Sequence, residues 1–120
     1  MVGIDDRESG GAVSLSPAEV SAHRHAMGLS LDQMAAMLGV NPRTVRSWES
    51  GRDRLSASSA AAVLDLVGRH GELVGRMVSA GVPVVVPREV SVDAVPPRGW
   101  FLAAAGAALR VEPDLMVDWG

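Results

Sequence analysis

The chain of 120 residues is long enough for one compact domain, or a small domain with an appendage. It is 48% apolar but only 3% aromatic, has no cysteine, carries a net charge of −3, and all 11 of its basic residues are arginine. These values exclude a disulfide framework or thiolate metal site, predict a core of small Ala and Val side chains, and argue against polyanion binding through bulk charge.

Residues 1–15 are polar and Gly-rich without periodicity and read as a disordered arm. A helix-turn-helix domain is expected over 16–56. Ser16-Pro17-Ala18-Glu19 combines a Ser cap, Pro at the first helical position and Glu in the capping-box place. The helix it opens should end near Met27, with Gly28 as a left-handed stop. Ser30-Leu31-Asp32-Gln33 is a second capping box, for a helix stopped at Gly39, and Asn41-Pro42 opens a third that ends at Gly51.

A long connecting helix is predicted over 57–81, starting near Leu55-Ser56 and ending near Ala80. Its apolar positions fall on two stripes, Ala60, Leu64, Val67, Val74 and Val78 beside Leu66, Leu73 and Met77. Such a face is too wide for one small partner surface. Gly68, Gly71 and Gly75 weaken this helix, and imply either a close helix approach or a kink or break there. The remainder, 82–120, reads as a β-α-β segment: a Pro-flanked strand at Val82–Pro87, a loop at Glu89–Arg98, an Ala-rich helix at Trp100–Val111 and a final strand at Leu115–Trp119. A segment so small buries little by itself, so pairing across a dimer is expected, through Val74, Met77, Val78, Val84, Val86, Trp100, Leu115 and Val117. The fold class is mainly α, a bundle of four to five helices with this small β-α-β appendage.

Charge is not evenly spread. Residues 16–56 hold five arginines against four acids, and four of those arginines lie within Arg43–Arg54, while both flanks are net acidic. A local basic stripe of this kind can meet phosphate on an acidic protein. It falls on the segment Leu31–Glu49, which has the layout of two helices joined by a tight turn. Ala35 is small where the helices cross, Gly39 supplies positive φ at the turn, and Val40, Val45 and Trp48 hold the second helix to the first.

These residues, with Arg24, Gly28-Leu29-Ser30, Gly39-Val40 and Trp48-Glu49-Ser50-Gly51 in the stretch Glu19–Gly51, resemble the Cro and lambda-repressor-like family, also called XRE. The tail, with Gly99-Trp100 before an Ala-rich helix and a closing strand, is more loosely similar to a subgroup with a C-terminal dimerisation segment that includes anti-CRISPR-associated autorepressors. The resemblance implies that the third helix enters the major groove of double-stranded DNA. Asn41, Arg43, Thr44, Arg46 and Ser47 are then its base-facing residues, since Arg bonds bidentately to guanine O6 and N7. Arg52 and Arg54 suit backbone phosphates, or else are simply solvated. Gln33 either donates to phosphate or serves its capping box. The resemblance also makes Arg24 and Glu49 a structural salt bridge, and Trp48 reads as core rather than as a base-stacking group.

An enzyme is not expected: there is no phosphate loop, no paired carboxylates at useful spacing and no nucleophile motif, and no cofactor or metal is implied. His23 and His25 point in divergent directions on a helix, which argues against a metal pair. No run of apolar residues, the longest being Gly99–Leu109, is long enough to span a bilayer, and no charged-then-apolar leader opens the chain. The expectation is therefore a cytoplasmic, bacterial or phage-encoded regulator, a homodimeric repressor on a pseudo-palindromic operator. The competing reading is an antitoxin or adaptor whose tail binds a protein, or a variant in which the same basic helix takes RNA.

Overall fold

The computed structural model describes residues 14–88 and 93–120, so nearly all of the arm 1–15 and part of the loop at Glu89–Arg98 lie outside the described residues. Three short helices come first: α1 (Pro17–Ala26), α2 (Leu31–Leu38) and α3 (Pro42–Ser50). Each begins on the side chain that its sequence offers. Ser16 Oγ accepts from the Glu19 N–H at 3.1 Å while Glu19 Oε1 accepts from the Ser16 N–H at 2.8 Å. Ser30 and Gln33 repeat the arrangement at 3.1 and 2.9 Å, and Asn41 Oδ1 accepts from the Arg43 N–H at 2.9 Å. These bonds satisfy amide groups that a helix start leaves unpaired. The turns after the helices use Gly28, Gly39 and Gly51 at positive φ.

A fourth helix, α4 (Ala57–Ser79), runs unbroken for 23 residues. It neither breaks nor draws a neighbour in at its glycines: Gly68, Gly71 and Gly75 lie on its exposed side, with no atom within 4 Å of where a Cβ would stand. The buried stripe is Ala60, Val63, Leu66, His70 and Met77, and Leu64, expected inside, is exposed. Of the two apolar stripes, the one through Leu66 and Met77 is the more deeply buried, and the other is only partly covered. A strand β1 (Val84–Val86), a helix α5 (Arg98–Val111) and a strand β2 (Val117–Trp119) complete the chain. The protein is thus mainly helical, with a helical bundle followed by a small sheet near the C-terminus.

The two strands pair with each other, in parallel, in the register Val84↔Val117, Val85↔Asp118 and Val86↔Trp119. α5 is the crossover helix that lets one chain pair its two strands in parallel. Val84 and Val86 face inward, Val85 outward, as the two-residue period of a strand requires.

Burial divides into two clusters. The first joins Val20, Met27, Leu29, Met34, Ala35, Val45, Trp48 and Leu55 of the short helices and turns to Ala60, Val63 and Leu66 of α4, and includes Trp100 from α5. The second gathers Met77, Val84, Val86, Ala104, Ala105 and Ala108, with Val74, Val78, Leu115 and Val117 packed partly buried against it. All the side chains assigned to dimerisation from sequence therefore have packing partners within their own chain. Val84, Val86, Met77 and Trp100 are buried outright.

The clusters meet where α4 crosses α5. His70 is buried there, its ring edge-on to Trp100 with centroids 4.5 Å apart at 79°, and its Nε2 lies 2.9 Å from the Trp100 carbonyl. A carbonyl only accepts, so Nε2 carries the hydrogen. Nearby, a Cβ on Gly28 would fall 2.1 Å from the Gly99 carbonyl oxygen, and one on Gly99 would fall 2.2 Å from that of Gly28. The turn between α1 and α2 and the first turn of α5 touch backbone to backbone, which only glycine permits.

Candidate nucleic-acid interface

The scaffold of α3 is set by its buried face. Val45 is fully buried and Trp48 is 6% exposed, both in the first cluster, so the helix cannot roll without exposing them. The opposite face is turned to solvent and carries Arg43, Arg46 and Ser50, with Thr44 and Ser47 half-buried at its margin. Together with Arg52 and Asp53 from the following loop, these residues line one open cleft. Arg43, Arg46, Arg52 and Arg54 form no ion pair with a described residue, so their guanidinium donors remain available.

The remaining candidates divide. Asn41 is exposed at the start of α3, but its Oδ1 is committed to the Arg43 N–H, which leaves its amide NH2 to act outward. Gln33 makes its capping-box bond through Oε1, so only its nitrogen can donate elsewhere. Arg54 is exposed but is not among the cleft-lining residues.

The loop after α3 folds back on the helix rather than trailing away. The N–H groups of Gly51, Arg52 and Asp53 all donate to the Ser47 carbonyl, the last two at 3.0 and 3.3 Å. Ser47 Oγ in turn donates to Asp53 Oδ2 at 2.5 Å. Asp53 and Ser50 are cleft residues that sequence reasoning passed over. The signal for Asp53 was present, as the lone acid in the run Arg52-Asp53-Arg54 behind the glycine stop.

Arg24 and Glu49 sit behind this face and brace it. Arg24 Nε and Nη2 donate to the two Glu49 carboxylate oxygens at 2.6 and 2.9 Å, and Nη1 donates to the Leu29 carbonyl at 3.1 Å. The fork ties α1 to the last turn of α3 and to the α1–α2 turn, with both side chains only 13% exposed. The Arg24 hydrogen bonds hold the Glu49 carboxyl below the usual carboxylate range, against the opposing effect of burial, and Glu49 in turn raises the Arg24 guanidinium above its ordinary value. Each of the three Arg24 nitrogens donates one bond in this way, three of its five N–H groups.

Two comparisons bear on this geometry. Residues 21–73, from within α1 to within α4, match the family described as Helix-turn-helix. A stretch of 56 residues, 47% of the chain, is 39% identical to a protein of Archaeoglobus fulgidus provisionally named an HTH-type transcriptional regulatory protein. That stretch spans 18% of the archaeal protein's length.

Proposed function

We propose that the chain is a sequence-specific DNA-binding regulator of transcription that lays α3 in the major groove. The observation that carries this reading is the exposed face of α3, with Arg43 and Arg46 in no ion pair with a described residue, on a helix locked by Val45, Trp48 and the Arg24–Glu49 fork. Guanidinium groups so placed match the O6 and N7 acceptors of guanine, while Arg52 and Arg54 serve the flanking phosphates. The helix-turn-helix match over residues 21–73 and the transcriptional name of the archaeal relative support the same reading.

The weak net charge makes one such helix a poor binder, so the working unit is a homodimer with two recognition helices about 34 Å apart on an inverted repeat. The side chains first assigned to dimerisation act in this proposal by shaping the tail. The surface left for a second copy includes Val82, Val85, Val111 and Met116, each more than half exposed. Bound at a promoter, the dimer represses by blocking polymerase. No helix among the described residues is long and apolar enough to cross a membrane.

Arg46→Ala tests the assigned face. On an operator selected with the wild-type chain, it should lose roughly 1–3 kcal/mol of binding and relax preference at one base position, as read by gel shift across a salt series. Equal binding by both proteins would refute the assignment of α3.

A further inference from the structure

Asp53 is the only acid among the residues lining the cleft, and its place there is fixed rather than incidental. Its N–H is bonded to the Ser47 carbonyl and its carboxylate to the Ser47 hydroxyl, so two bonds to one residue of α3 hold it against the recognition face. It is exposed and makes no ion pair with a described residue, although arginines surround it. A hydroxyl has one hydrogen, and Ser47 gives its own to Asp53. What the two side chains then offer outward is lone pairs alone.

We propose, resting on the DNA-binding reading above, that Ser47 and Asp53 form an acceptor-only pair that selects a cytosine through its N4 amino group. In the major groove, guanine presents two acceptors and thymine an acceptor and a methyl group, so neither can satisfy such a pair. Adenine has an amino donor, but its N7 lone pair lies beside it and faces the carboxylate charge. Cytosine alone offers a donor without a neighbouring acceptor. The face of α3 thus carries two opposite chemistries: the arginines give only donors and read guanine, and the Ser47–Asp53 pair gives only acceptors and reads cytosine.

The test is selection of bound duplexes from a randomised library by the full-length chain, comparing wild type with Asp53→Ala, Ser47→Ala and Arg46→Ala. Thermal melting of each variant checks that it is folded, which the exposure of Asp53 favours. Wild type should enrich cytosine at one position per half-site. Asp53→Ala should reduce that preference from roughly tenfold to near parity while the other positions keep theirs, and Ser47→Ala should act on the same position and no other. If Arg46→Ala shifts a position but Asp53→Ala shifts none, or changes only overall affinity and salt dependence, the cytosine assignment is wrong while the DNA-binding reading stands. If wild type enriches no sequence and Arg46→Ala changes nothing, both fall together.

Discussion

The N-terminal half, built on α1 to α3, and the tail solve the problem of a small core in opposite ways. Around α1 to α3, every helix has a side-chain cap, every turn a glycine at positive φ, and the core contains Met, Leu and Trp side chains. The tail packs Ala104, Ala105 and Ala108 against two valines and Met77, and α5 starts at Pro97 with no side-chain cap bond. Of its larger apolar residues, Trp100 is buried in the first cluster, while Leu102, Leu109, Val111, Met116 and Trp119 remain at the surface. The difference shows where stability is intrinsic and where it is borrowed: the first half is held by local bonds and dense packing, and the tail by leaning on α4 and on the α1–α2 turn.

The sharpest way to break that dependence is at the contact between the halves. Gly28→Ala combines a left-handed backbone with a Cβ driven into the Gly99 carbonyl, and should cost about 3 kcal/mol or more. Gly39→Ala is its control: φ is the same +71° but the space around it is open, so only the conformational penalty of about 1–2 kcal/mol applies. Denaturant melts of the two variants should separate by more than 1 kcal/mol, and hydrogen exchange should find protection in α5 lost first in Gly28→Ala. Equal destabilisation would mean that the tail does not bear on that turn.

Within the first half, Glu49→Gln should cost about 2 kcal/mol, because it leaves the half-buried Arg24 guanidinium without its counter-charge. The sign of its pH dependence follows from the depressed carboxyl. The bridge contributes fully above the ordinary carboxylate range, and that contribution is lost as pH falls through the lowered value. Melting temperature measured against pH should therefore drop on acidification in the wild type, and drop less steeply in Glu49→Gln. The smallest expected effect lies on α4, which links the halves. Alanine at Gly68, Gly71 or Gly75 should stabilise the chain by about 0.5–1 kcal/mol each, since these positions are helical, exposed and uncrowded. A loss instead would show that the exposed face of α4 is covered in solution.

The same contrast governs what could be read from sequence. The capping boxes at Ser16 and Ser30 and the stops at Gly28, Gly39 and Gly51 act over three or four residues, so both halves of each interaction stand side by side in the chain. Placing Val45 and Trp48 inward then turned Arg43 and Arg46 outward, and the cleft followed. The pairing of β1 with β2 was not legible, because two strands of three residues separated by a whole helix carry no local mark of their partner. The facing of α4 was missed for a related reason: it packs against the short helices at one end and α5 at the other, and Leu64 and Leu66 are equally apolar candidates until those surfaces are known. His70 and Asp53 went unread because their partners, the Trp100 carbonyl and the Ser47 hydroxyl, become evident only once the backbone is folded.

The meeting of Gly28 with Gly99 has a further consequence. Where two helices touch through side chains, a rotamer change can absorb a small displacement before it travels. Here main chain rests on main chain, and there is nothing to rotate aside. A shift of α5 would therefore press on the turn whose Leu29 carbonyl is held by Arg24, the residue that also binds Glu49 at the end of α3. Thermodynamic linkage is reciprocal, so any free energy by which the tail biases α3 is the free energy by which a ligand on α3 would bias the tail.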